Sequence, residues 1–354
     1  MKGTPRTRQS LLILAAFRPW GGSQGGRRAG SVISVATPPG GYRPPVTNAP
    51  IELPSPADVR AAAEAVRPYV RRTPLLRTEV DGRPLLLKLE HLQRSGSFKL
   101  RGATNALLAG DRPSTVVTAS GGNHGLGVAT AAVALGVPAT VFVPTSAPAG
   151  KVRRIEALGA TLVRHGETYA EAAAAALEAA SGPGVRHLHA YDAPAVVAGQ
   201  GTVAVEVLAE APEVDAIVVA AGGGGLAAGT SLASDGRTTV TVEPERCRAV
   251  HDALAAGEPV DVAIDSVAAS ALGATRIGRV PFGVLSTGRL APVAPVLVGD
   301  AEILAARDRL WEDFRLAVEP AAAAGFAAWL AGLVPGRLPC LVLCGANTDW
   351  APQP

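Results

Sequence analysis

The sequence predicts an α/β protein built on parallel sheet, and three observations carry that prediction. Short apolar runs alternate with helix-forming stretches between residues 55 and 347, the pattern of successive βαβ units. Ala216-Ile217-Val218-Val219-Ala220-Ala221 is apolar at every position, as a strand covered on both faces must be. Strand-like runs also break into glycine turns, at Ser120-Gly121-Gly122-Asn123-His124-Gly125, at Gly222 to Gly225 and at Gly345-Ala346-Asn347. Open α/β sheets bind their ligands at such strand ends. A length of 354 residues with 48% hydrophobic and 18% charged side chains allows a large core and about two domains.

Taken in order, residues 1–50 read as a leader. They hold seven Lys and Arg and no Asp or Glu. The apolar run Ser10 to Phe17 is far too short to span a membrane, and no small-residue cleavage pattern follows it. A disordered tail or a misassigned start is the expectation. Setting those seven charges against the net +3 leaves the rest of the chain at −4, so the basic balance gives no reason to expect nucleic acid. Ser55-Pro56-Ala57-Asp58 opens a helix by cap and first-turn proline. Arg72 to Leu76 is an extended exit, and Leu85 to Glu90 is a strand. Ser95 or Ser97 is placed to cap a helix whose first turn holds Lys99.

The strands Val116 to Ser120, Ala139 to Pro144 and Ala160 to Val163 alternate with helices over Leu126–Leu135, Lys151–Leu158 and Tyr169–Ala180. A helix opens at Ala198-Gly199-Gln200-Gly201-Thr202. The strand from Ala216 ends in four glycines before the helix Leu226–Ser234, and Thr239 to Val242 runs into Glu243-Pro244. A second alternating block leads to Leu341-Val342-Leu343-Cys344. Cys340 and Cys344 are expected on one strand, roughly 13 Å apart at about 3.3 Å per residue, too far to bridge. Three cysteines without a disulfide framework make the cytoplasm the default compartment.

Four groups in this chain carry chemistry. Lys99 sits at a helix start, where the dipole disfavours a cation, which suits an amine that must be neutral and nucleophilic; a solvated surface lysine is the plainer reading. The turn Gly222 to Gly225 lets backbone N–H groups converge on a phosphate, and its spacing does not continue as a dinucleotide fingerprint. Asn123 offers an amide donor to an oxyanion or phenolic oxygen. Cys344 supplies a thiol at a strand end, or is a small buried residue.

Together these describe a site for a phosphorylated aldehyde, and the motifs resemble those of the fold-type II pyridoxal-phosphate enzymes, close to the serine/threonine dehydratases and serine racemase. The resemblance covers about residues 55–350. It rests on Ser97-Phe98-Lys99-Leu100-Arg101-Gly102, the Ser120 to Gly125 turn, Ala198 to Thr202, Gly222 to Leu226, Glu319-Pro320 and Cys344 to Asn347. It implies two open, mostly parallel twisted sheets flanked by helices. Residues 51–114 and 193–350 would form a large cofactor-binding domain and 115–192 a small α/β domain. Lys99 would form the Schiff base with pyridoxal phosphate, beside Phe98, and act as the catalytic base. Asn123 would bond the ring oxygen, Gly222, Gly223, Gly224, Gly225 and Leu226 would hold the phosphate, Cys344 would face the ring nitrogen, and Glu319 would lie near the ring. Ser120, Gly121, Gly122 and His124 would receive a small amino-acid substrate, and Ser270, in the stretch Ser266 to Gly278, would be a further substrate-side residue.

The implied reaction is dehydration and deamination of L-threonine, L-serine or both to a 2-oxo acid and ammonia. A racemase, another fold-type II lyase or synthase, and a non-catalytic cofactor-binding protein are the alternatives. Serine racemase-like relatives carry a second serine where this chain has Gly121, so elimination without efficient racemisation is expected. They also hold a divalent cation with carboxylates after the Glu-Pro strand end. Here Glu243 is followed by Cys247 and Ala249, so no metal is expected. A homodimer is the expected assembly, with neither membrane nor nucleic acid as a partner.

Overall fold

The computed structural model describes residues 51–351 apart from positions 148 and 289, so the expected leader lies outside the described residues. Helix α1 (Pro56–Val66) starts at Ser55, whose hydroxyl accepts from Asp58 N while the Asp58 carboxylate accepts from Ser55 N at 2.7 Å. This reciprocal cap satisfies two otherwise orphaned donors. Strands β1 (Leu75–Val80) and β2 (Arg83–Lys88) pair antiparallel across Asp81-Gly82, both of which have positive φ. Asp-Gly is a two-residue hairpin signal. It turns what the residue pattern suggests as an extended exit into a full strand.

Helix α2 (Lys99–Leu108) follows a short 3-10 turn at Glu90–Leu92. Next come β3 (Thr115–Ala119), α3 (Asn123–Leu135), β4 (Ala139–Val143), α4 (Ala149–Ala157), β5 (Thr161–Arg164), α5 (Tyr169–Ala179) and β6 (Val185–His187). The chain then runs through α6 (Pro194–Glu210), β7 (Ala216–Ala220), α7 (Gly225–Ala233), β8 (Thr238–Pro244), α8 (Ala249–Ala256), α9 (Ala269–Leu272) and α10 (Arg279–Leu285). It closes with β9 (Val293–Val298), α11 (Asp300–Phe314), α12 (Pro320–Leu330) and β10 (Pro339–Val342).

The described strands form two sheets, in the orders β1-β2-β10-β7-β8-β9 and β5-β4-β3-β6. Every pairing among them is parallel except β1 with β2. The larger sheet is covered on both faces: Ile217, Val218 and Val219 are all buried, and α12 is buried almost all round. A helix apolar on every side belongs inside a core. Helices α6 and α7 cross closely at Gly201 and Gly229, where a Cβ on Gly201 would lie 2.5 Å from the Gly229 carbonyl oxygen. Among the described residues no helix is long and apolar enough to cross a membrane.

Three sequence expectations are corrected here. Cys340 lies in β10 but Cys344 lies two residues beyond its end, so the two do not share a strand; both are buried free thiols. Neither Ser95 nor Ser97 caps α2: Ser95 Oγ donates to the Ser97 carbonyl, and buried Ser97 Oγ has no partner. Ser97 is held instead by a bridge to Gly345, which turns it towards the larger sheet. Helix α3 starts at Asn123, three residues earlier than expected, so Asn123 and His124 occupy its first turn.

Candidate active site

Lys99 is the first residue of α2. A 3.1 Å bond from Phe98 N to the Cys344 carbonyl and the Ser97–Gly345 bridge set the entry to that helix. The Lys99 side chain runs past the Phe98 ring, with Nζ 5.1 Å from the ring centre. It ends with Nζ donating to the Ala190 carbonyl at 2.8 Å. Desolvation lowers the amine to a pKa of about 8, while Cys344 and Glu319 pull the other way. Burial therefore wins over charge here, and the neutral fraction near neutrality far exceeds that of an ordinary lysine. The solvated-surface reading of Lys99 does not describe this side chain.

Asn123 sits in a chain of amides and charges. Its Nδ2 donates to Glu319 Oε1 at 2.7 Å, and its Oδ1 accepts from Asn347 Nδ2 at 2.7 Å. Asn347 Oδ1 in turn accepts from Arg154 Nη2 at 2.8 Å. One Nδ2 hydrogen of Asn123 remains for a ligand oxygen. Glu319 stands at the start of α12, and a Cβ on Gly345 would lie 2.4 Å from its Oε1. A side chain there would displace the Glu319 carboxylate from its place beside Asn123. Asn347 and Arg154 had no assigned role in the sequence, because only the fold brings α4 beside the chain after β10.

Just ahead of α3, Ser120 Oγ accepts from Gly122 N at 3.2 Å. Gly122 faces the backbone of Ser270, whose carbonyl oxygen would be 3.8 Å from an added Cβ. Ser270 is exposed, so its backbone rather than its hydroxyl approaches the turn. His124 is buried, its Nε2 lies 3.1 Å from the Leu188 carbonyl, and burial beside Lys99 lowers it to about 3. A neutral ring donating to a carbonyl is committed structurally, which leaves His124 its backbone for any substrate.

The turn from Gly222 to Gly225 leads into α7 with Gly224 at φ +87° and no side-chain cap. The first N–H groups of α7 are therefore not used by a capping side chain, as an anion site requires. The Tyr191 ring packs on Gly223 so closely that a Cβ there would meet ring carbons at 2.4 Å. Cys344 is buried and its thiol is pushed well above its usual value by burial, with Glu319 adding to the effect. It is a neutral thiol, able to sit against a neutral ring nitrogen. Uncapped N–H groups, a half-buried amine of lowered pKa, a spare amide N–H and a neutral thiol match a phosphorylated pyridine aldehyde in both charge and donor set.

Beneath this site lies a buried ion cluster that sequence reading missed. Arg101 donates to Glu90 at 2.8 and 2.7 Å and to Glu206 at 2.8 and 2.9 Å. Lys88 Nζ donates to Glu206 at 2.6 Å and to the Thr73 carbonyl at 2.8 Å. Burial alone would discourage the Arg101 charge, but Glu90 and Glu206 more than offset it, and its pKa is raised. The cluster ties α2, two residues after Lys99, to β2 and α6.

Known proteins place the chain in the same family. A family model described as pyridoxal-phosphate dependent enzyme matches residues 66–345. The L-threonine ammonia-lyase of Geobacter sulfurreducens is 39% identical over 82% of this chain and 75% of its own length. The serine racemase of Arabidopsis thaliana is 32% identical over 82% of this chain and 92% of its own. Among solved structures, maize serine racemase aligns with a TM-score of 0.78 at 30% identity, over 84% of this chain and 95% of that one. A crystal structure of threonine deaminase aligns with the same TM-score of 0.78 at 34% identity, over 84% of this chain and 100% of that one. With the motifs, the two-sheet fold and the donor set of the site in agreement, the chain belongs to the family of pyridoxal-phosphate dependent enzymes.

Proposed function

We propose that this chain is a pyridoxal-phosphate-dependent ammonia-lyase that removes the 3-hydroxyl of L-threonine, L-serine or both, yielding a 2-oxo acid and ammonia. Relatives named L-threonine ammonia-lyase and threonine deaminase support this class of reaction. The observation that carries the reading is the combination of a half-buried, low-pKa Lys99 amine with a glycine, Gly121, in the turn before α3.

The work is divided among several residues. The N–H groups of Gly222 to Leu226 hold the phosphate and Asn123 the ring oxygen, which orients the bound cofactor. Phe98 packs beside Lys99. Ser120, Gly121 and Gly122 receive the substrate carboxylate, with His124 behind them and Ser270 across from Gly122. Bound pyridoxal phosphate supplies an electron sink for charge developing at the substrate Cα. Lys99 Nζ takes the Cα proton as a general base. The Cα–H electron pair forms the Cα–Cβ double bond as the Cβ–O bond breaks, and the hydroxyl leaves with a proton as water. The released enamine becomes an imine and hydrolyses to the 2-oxo acid and ammonia. The neutral Cys344 thiol cannot hold a proton-bearing ring nitrogen as a carboxylate would, which favours prompt loss of the β-hydroxyl over a long-lived Cα charge. In this reading residues 51–114 with 193–350 carry Lys99, the phosphate turn and Cys344, and 115–192 carries the Ser120 to Asn123 turn.

The test is 2-oxo acid release by the full chain with pyridoxal phosphate, across L-serine, L-threonine and bulkier 3-hydroxy amino acids. Wild type should form product from at least one of them and Lys99→Ala from none. Product from neither protein, or equal product from both, would defeat the proposal.

A further inference from the structure

The conspicuous motif residue without a role is Gln200, in the middle of α6. It is fully buried, and it lies where three parts of the site meet. A Cβ on Gly102 of α2 would lie 3.0 Å from its Cγ, and a Cβ on Gly225, at the start of α7, would lie 2.7 Å from its Oε1. Its Nε2 reaches the Ala190 carbonyl at 3.5 Å, the same oxygen that accepts from Lys99 Nζ. Its Oε1 is buried with no hydrogen-bond partner.

That orientation is costly, because a buried oxygen without a donor loses its hydration uncompensated. It has a consequence for Lys99. An ammonium seeks three acceptors, and among the described residues Nζ has one, the Ala190 carbonyl. Gln200 competes for that one with a donor of its own and keeps its acceptor turned away towards Gly225. The other ionisable groups acting on Lys99 are His124 of α3, His189 after β6, Glu319 at the start of α12 and Cys344 after β10. Burial holds both histidines neutral, with values of about 3 and 4, and the Cys344 thiol is neutral too. Glu319 is thus the carboxylate favouring the ammonium, and it is engaged by Asn123.

We propose that Gln200 is a positioning residue that biases the Lys99 amine toward its neutral, nucleophilic form by sharing the Ala190 carbonyl and withholding its own oxygen. The proposal rests on the reading of Lys99 as the cofactor-binding lysine, but its test needs neither cofactor nor substrate. The full chain, freed of cofactor, is pulsed with acetic anhydride across pH 6 to 10, and acetylation of Lys99 is followed by peptide mass spectrometry. Gln200→Met keeps the volume and removes both amide groups. Its labelling midpoint should rise by about half a unit, making Lys99 roughly threefold slower at pH 7. Gln200→Glu keeps the shape and places a carboxylate beside the amine, so its midpoint should rise further, slowing Lys99 about tenfold at pH 7. If Gln200→Met does not fold, Gln200→Glu carries the test. An unchanged or lowered midpoint overturns the proposal, and so does a loss of labelling that is equal at every pH, the mark of a merely structural residue. Absence of 2-oxo acid formation by wild type would defeat the proposed reaction and leave the labelling result standing.

Discussion

At Lys99 two opposed effects meet, and desolvation wins over the nearby thiol and carboxylate, bringing the amine from 10.5 to about 8. The unfolded chain therefore binds more protons at this group between these values. The contribution of Lys99 to the stability of the cofactor-free protein rises with pH across 8 to 10.5. The rate of cofactor uptake should fall on its acid side with a midpoint near 8, read by the growth of visible cofactor absorbance in stopped flow. Gly121 offers a second test. A Cβ there would meet Val143 Cγ1 and Ala147 Cβ at 3.6 and 3.7 Å, ordinary contact distances. Gly121→Ser should fold normally and gain D/L interconversion of serine, measured by chiral chromatography, while wild type shows little beside its elimination. Lys99, Asn123 and the glycine turns were legible in the sequence because their motifs occur together and in order; each alone has a plainer reading. Asn347, Arg154 and Gln200 were not, since an amide or guanidinium acquires its meaning from partners that the fold supplies.

Helix α2 illustrates what holds an element in place when its cap is missing. Its first turn has no side-chain cap: Ser95 Oγ bonds elsewhere and Ser97 Oγ has no partner. The Lys88–Glu206–Arg101–Glu90 cluster anchors it instead. Removing one partner of such a buried set leaves an uncompensated charge, at a cost of about 3–5 kcal/mol. Arg101→Met should therefore lower stability by about that amount in chemical denaturation. Replacing charged residues together with apolar ones of like volume should recover much of the loss. The Arg101 position was visible in the motif, but its burial was not: an arginine two residues beyond a functional lysine reads as surface until β2 and α6 enclose it. Strand β1 was likewise half-hidden, because Leu75 to Val80 mixes charged and apolar residues and only the Asp81-Gly82 turn signals its partner.

For the molecule as a whole, the alternation of apolar strands and helices pointed to parallel sheet, and the resemblance to the fold-type II enzymes supplied the expectation of two of them. The order of strands within them was not legible, since it depends on long-range pairing. The Glu243 carboxylate shows a related limit. It accepts from Val250 N at 2.9 Å and His251 N at 2.7 Å, serving the start of α8 with both oxygens. A chelator should accordingly leave 2-oxo acid formation unchanged within about twofold, and a loss restored by added magnesium would contradict that expectation.

Strand β10, the last described strand in chain order, is inserted between β2 and β7. During synthesis the centre of the larger sheet must therefore stay open until Val342 has left the ribosome. The delay exposes two strand edges, those of β2 and β7, to neighbouring chains. It also means that Cys344, Gly345 and Asn347 join Lys99 and Asn123 only when β10 docks. A nascent chain short of Pro339 can have neither a closed sheet nor a complete site.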